Sequence, residues 1–156
     1  MSYLVDTNVL TRLIVAQDPL SRPARAAIDK LQQDAAGLFV APQNLIEFWA
    51  VATRPVEANG LGLSVEKVAE EVTRFEAVFR LADEPSDLFR RWRQLVEKYK
   101  VKGKQVHDAR LVATMIEDGV ERILTFNVDD FRRYPDITAV SPHSFPIPVT
   151  PVPGGS

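Results

Sequence analysis

The chain has no cysteine and only two histidines, His107 and His143. Without thiols there is no disulfide framework and no thiolate zinc site, which fits a reducing compartment. No apolar stretch reaches the roughly 20 residues of a membrane span, and the first residues lack the basic start and apolar core of a signal peptide. The expectation is a cytoplasmic protein with no membrane partner. An excess of one charge is also missing. Nineteen Lys and Arg against 21 Asp and Glu leave a formal charge of −2. That argues against a generally basic nucleic-acid coat and still permits a local basic track.

What is present reads as one ordinary globular unit. At 156 residues, 46% hydrophobic and 26% charged, the chain is long enough to bury roughly two thirds of its unfolded surface in one domain. Short apolar runs alternate with segments of helical period. Tyr3–Val5, Leu38–Val40, Val78–Leu81, Ile123–Phe126 and Ile137–Val140 read as strands. Between them, helices are expected from Thr7, from Ser21, from Pro42 to near Pro55, from Ser64, from Pro85, and over Val106–Asp118 with Gly119 closing it. Strands separated by helices imply a three-layer α/β/α sandwich around a mostly parallel, roughly five-stranded sheet. The domain is read as residues 1–141. From Pro142 to 156 the chain holds five of its 11 prolines and ends Gly-Gly-Ser, so it is expected to be an extended, flexible tail.

Three acidic residues stand in apolar settings where a charge is costly. Asp6 ends the run Tyr3-Leu4-Val5, Glu47 is the only charged residue in APQNLIEFWAVAT, and Asp108 shares a helical stripe with Leu111 and Val112. Carboxylates persist in such places when a cation, hydrogen-bond donors or a metal compensates them. With so few histidines and no thiols, one shared hard cation is the expected compensation. In an open parallel sheet, ligands sit beyond the carboxyl ends of the strands. Asp6 leaves the first strand and Thr125-Phe126-Asn127 leaves the fourth, while Glu47 and Asp108 reach that edge from helices. Bland readings stand beside these: Asp6 as a helix cap, Asp108 as a first-turn carboxylate, Asn127 as the cap of a short turn.

The segments Asp6-Thr7-Asn8-Val9-Leu10, the isolated Glu47, His107-Asp108-Ala109-Arg110-Leu111 and Leu124-Thr125-Phe126-Asn127, in that order, resemble the PIN-domain family, and within it the VapC-type toxin ribonucleases of toxin–antitoxin pairs. The likeness runs from Tyr3 to Val140. It implies a metal-dependent endoribonuclease in which Asp6, Glu47 and Asp108 hold Mg²⁺ or Mn²⁺. Thr125 and Asn8 would support that site. It also implies in-line hydrolysis that leaves a 3′-hydroxyl and a 5′-phosphate, a cognate antitoxin, and a homodimer. The family's fourth acidic position falls on Asn127, which offers an amide oxygen and no charge. Asp129 and Asp130 are near enough in sequence to substitute, although capping the local turn is their simpler use.

A basic stretch precedes Asp108. Arg90, Arg91, Arg93, Lys102 and Lys104 can neutralise RNA phosphates or simply form a solvated face opposite Trp92. Arg110 is placed to touch a phosphate or to pair with a carboxylate. Two rival readings remain at this point. One is a non-catalytic PIN-like module that binds RNA or protein, for which Asn127 speaks. The other is a phospho-acceptor receiver domain, which lacks here the adjacent acidic pair and the lysine it requires.

Overall fold

The computed structural model describes residues 1–149. Five strands, β1 (Ser2–Val5), β2 (Gly37–Val40), β3 (Arg80–Leu81), β4 (Arg122–Leu124) and β5 (Thr138–Val140), form one sheet in the order β3-β2-β1-β4-β5. Every neighbouring pair is parallel. The helices are α1 (Thr7–Ile14), α2 (Ser21–Gln33), α3 (Pro42–Thr53), α4 (Val65–Val78), α5 (Leu88–Lys98) and α6 (Gln105–Asp118).

The period of two in the strands builds the layers. In β1, Tyr3 and Val5 face a core shared with α1 to α4, while Leu4 faces a second core lined by α5 and α6. In β4, Leu124 joins the first core and Ile123 the second. With both faces covered, the strands read as apolar runs rather than alternating ones. The first core is anchored by Phe48, fully buried, whose ring meets that of Phe75 edge-on at 5.0 Å.

Local signals set the helix ends. Ser64 caps α4 by accepting from the Lys67 N–H at 3.1 Å. Pro42 opens α3. Gly119 ends α6 at φ +69, in the left-handed region that glycine enters without strain.

Several expectations move. Val78 belongs to α4, so the third strand is only Arg80–Leu81. β4 stops at Leu124, leaving Thr125 and Phe126 beyond its end. Ile46, Val65 and Phe89, placed in apolar helical patterns, are 69%, 56% and 68% exposed. At the expected tail, Pro142–Ser144 forms a 3₁₀ turn, Pro142 is buried, and Phe145 packs against the first core. The part of that tail beyond Val149 lies outside the described residues. Among the described residues, no helix is long and apolar enough to cross a membrane.

Candidate active site

Asp6 sits where β1 runs out. Its backbone N–H still donates to the Leu124 carbonyl at 3.0 Å, in line with the sheet. Its side chain then turns to cap α1, with Oδ1 accepting from the Thr7 N–H at 2.8 Å. The cap and the site are therefore one residue doing both. β1 and β4 are also the strands from which the connections diverge to opposite sides of the sheet, the place where open parallel sheets carry their ligands.

The other oxygen of Asp6 is held from β4. The buried Thr125 hydroxyl donates to Asp6 Oδ2 at 2.8 Å and accepts from Asn8 Nδ2 at 3.1 Å and from the Asn127 N–H at 3.0 Å. Asn8 Nδ2 lies 3.3 Å from the same Asp6 oxygen, and Asn8 Oδ1 accepts from the Phe126 N–H at 3.1 Å. Asn8 thus stitches the start of α1 to the segment leaving β4. Every polar atom of this corner has a use, which keeps a 93%-buried carboxyl in one orientation.

Glu47 approaches from α3 through a second network. Thr7 Oγ1 donates to Glu47 Oε2 at 2.9 Å, and Gln43 Nε2 donates to Glu47 Oε1 at 2.9 Å. Gln43 Nε2 also reaches the His107 carbonyl at 2.8 Å, tying α3 to the first turn of α6. Asn44, fully buried, steadies this end of α3: its Oδ1 accepts from the Ala41 N–H at 2.9 Å, and its Nδ2 donates to Thr7 Oγ1 at 3.3 Å. Glu47 itself is only half-buried.

Negative charge predominates at this edge and is only partly offset. Burial pushes the Asp6 carboxyl up to about 6, against the donated bonds from Thr125 and Thr7, with the charges of Glu47 and Asp130 adding to the rise. Burial also pushes Asp108 up, to about 7, followed by repulsion from Asp6, Asp130 and Glu47; Arg133 acts in the opposite sense. Four carboxyls from four elements therefore share one field. Asp130 lies in the 3₁₀ turn Val128–Phe131.

Their donor atoms are all hard oxygens, which suits a cation of the Mg²⁺ or Mn²⁺ type. Among the described residues, no three His, Asp or Glu side chains are drawn close enough to hold one metal ion together. The carboxyls gather as a patch of negative potential rather than a closed coordination shell. Mg²⁺ asks for no more, since it keeps several waters beside one or two carboxylates.

The remaining residues sort by geometry. Asn127 is exposed, and its contact with the site is the backbone N–H given to Thr125. Asp130, one turn further on, supplies the charge that Asp6 and Asp108 feel. Arg110 pairs with Glu84 at 3.0 Å and donates to Gln43 Oε1 at 3.2 Å. Arg91 pairs with Glu117 and Arg93 with Glu97, while Arg90, Lys102 and Lys104 are exposed and form no ion pair among the described residues. Trp92 is half-buried, packs against the second core and donates its indole N–H to the Val106 carbonyl at 2.7 Å. Gln43, Asn44 and Thr7 carried no charge to single them out in the sequence. The one hint was Asn44, three residues after the strand-ending Ala41, a spacing that suits an amide reaching back to a helix start.

No curated protein matches the chain by sequence at a significant level. Solved structures match its fold. VapBC2 from Rickettsia felis, bound to a DNA fragment from its promoter, superposes with a TM-score of 0.68 at 14% identity, over 90% of this chain and 98% of that one. VapBC-1 from nontypeable Haemophilus influenzae gives 0.68 at 15% identity, over 92% and 99%. VapC20 from Mycobacterium tuberculosis, a toxin that cleaves the sarcin–ricin loop, gives 0.60 at 18% identity, over 85% and 95%. At these identities the likeness concerns the fold. The model of the PIN domain matches residues 3–137, nearly the whole of the described structure. The chain belongs to the PIN-domain family.

Proposed function

We propose that this protein is a metal-dependent endoribonuclease, the toxin of a toxin–antitoxin pair, cutting RNA at the carboxyl edge of its sheet. The observation that carries the reading is the burial of Asp6 and Asp108 within a field of other carboxyls, which raises both. Asp6 at the end of β1 and Asp108 at the start of α6 share one acidic field with Glu47 and Asp130, which Arg133 offsets at Asp108. A protein gains nothing in stability from such an arrangement. It gains a seat for a hard cation.

Asp6 and Asp108 are the proposed direct ligands. Glu47, oriented by Thr7 and Gln43, would accept a hydrogen bond from the attacking water or take its proton. A bound Mg²⁺ or Mn²⁺ supplies Lewis-acid polarisation of the phosphodiester and a more acidic water. Thr125 and Asn8 hold Asp6 in place, and Asp130 contributes charge in the position where Asn127 has none. Arg90, Lys102 and Lys104, exposed and without an ion pair among the described residues, would meet RNA phosphates. The antitoxin partner is proposed from the structural neighbours, several of which are VapBC complexes. The homodimer is proposed from the family resemblance alone.

Cleavage of a mixed RNA pool with Mg²⁺ or Mn²⁺, beside EDTA and Asp6→Asn, tests the reading. Metal-dependent cuts lost in the variant are expected. Measurable metal binding by a folded protein that cuts nothing would favour instead a non-catalytic RNA- or protein-binding module, for which the amide of Asn127 is the supporting feature.

A further inference from the structure

Beside the carboxyl edge lies a concavity, about 530 Å³ in volume, between the segment before α5 and the first turns of α6. Its floor is apolar, with Leu88, Phe89 and Trp92, and its rim carries Glu84, His107 and Arg110. Nothing in the catalytic reading uses it. Phe89 is 68% exposed, an unusual state for a large aromatic, and its ring lies 5.6 Å from that of Trp92 at a 34° tilt. The indole is pinned by its bond to Val106. The Arg110 guanidinium is held in one plane by Gln43 and Glu84.

The concavity is joined to the carboxyl edge by covalent and hydrogen bonds. His107 and Arg110 flank Asp108 on α6, and Gln43, which receives Arg110, also binds Glu47 and the His107 carbonyl. A molecule seated there would lie next to whatever binds at the carboxyl edge.

The chemistry of the walls selects the occupant. Arg110 and Glu84 pair with each other on the rim, and an aliphatic side chain would meet only the rings. A phosphate would meet Glu84 and ignore the rings. A flat heteroaromatic with donors and acceptors on its edge uses both, its face on Phe89 and Trp92 and its edge on Arg110 and Glu84. We infer that this concavity is a nucleobase pocket that receives one unpaired RNA base near the scissile phosphate and so sets where the strand is cut. The inference rests on the ribonuclease reading for its ligand.

The test measures binding separately from cleavage. Asp6→Asn protein is titrated with a short single-stranded RNA and with derivatives that each lack one base. One abasic position should weaken binding about 5- to 100-fold, the range of a single stacked base. Phe89→Ala should weaken the intact RNA by a similar factor and leave that abasic RNA unaffected, and Phe89→Tyr should restore the loss. Val65→Ala, an exposed apolar residue on α4, should change nothing. Equal losses at every abasic position, no effect of Phe89→Ala, or no binding of any of these RNAs overturns the pocket. So does a change of oligomeric state on Phe89→Ala with RNA binding intact, which would make this a protein–protein surface. If metal-dependent cleavage fails while base-dependent binding holds, the nuclease reading falls and the pocket stands.

Discussion

Replacing Asp6 by Asn should make the metal-free protein more stable at neutral pH relative to wild type than it is at acid pH. The sign follows from the direction of titration. Asp6 ionises near 3.8 in an unfolded chain and at about 6 when folded. Below 3.8 both states are protonated and no penalty exists. As pH rises towards 6 the unfolded state releases its proton first, so the folded state loses ground, and above 6 the loss is complete. Two pH units at about 1.4 kcal/mol each make a penalty of about 3 kcal/mol. Asn cannot ionise and escapes it. The variant also carries a cost independent of pH. Its amide presents donors where Oδ2 received Thr125 and Asn8, a loss of about 1–3 kcal/mol, although Asn is as good a helix cap as Asp. Urea unfolding in EDTA, followed from about pH 4.5 to 7.5, should therefore show the variant gaining about 2 kcal/mol on wild type, the rest of the penalty being already present at the lower pH. Relief of Asp108 from the Asp6 charge works in the same direction. Parallel stability curves for the two proteins would refute the claim that the charge of Asp6 is only partly offset. Mg²⁺ should stabilise wild type and leave the variant almost unmoved.

Three further outcomes are expected. Thr125→Val keeps the shape but strands the Asn127 N–H and leaves Asp6 Oδ2 with only the longer contact from Asn8; it should cost about 1–3 kcal/mol in denaturant unfolding and raise the pH at which Asp6 ionises, read by NMR titration. Asp130→Asn removes a charge that raises both Asp6 and Asp108, so the acid limb of the cleavage rate should move to lower pH; an unmoved limb would separate Asp130 from the site. Gly60 packs against the backbone of Arg54, and a Cβ there would collide with the Arg54 carbonyl; Gly60→Ala should cost about 2–4 kcal/mol in thermal unfolding, with the loop after α3 as the disturbed element.

Much of the architecture was legible because buried parallel strands write themselves as short apolar runs, and Leu4, Phe39 and Ile123 mark them. The limits were those of local reading. Val78 and Phe79 look like strand residues, and they end α4 because Phe79 packs into the first core beside Phe75. Helical periodicity placed Phe89 with Leu88, Trp92 and Leu95, but a period reports one face of a helix and cannot say whether anything covers its margin. At the site, Asp6 and Asp108 were visible as charges in apolar surroundings. Asp130 looked like a capping residue, since its tie to Asp6 and Asp108 depends on the path the chain takes after β4. The hydrogen bonds of Gln43 and Asn44 were silent for the same reason: a neutral amide shows its purpose only once its partners from α1 and α6 stand next to it.

The pairing of β1 with β4 has a consequence in time. Asp6 is made almost at the outset of synthesis, but the strand that holds it, together with Thr125, follows more than a hundred residues later. Contacts so remote in the chain form late, after the loop between them has been closed. Through most of its translation the polypeptide therefore carries its first acidic residue without the neighbours that give it a purpose. A ribosome that stalls before Ile123 releases a fragment with no central sheet pairing on that side. The corner around Asp6 is complete only once nearly all of the chain exists.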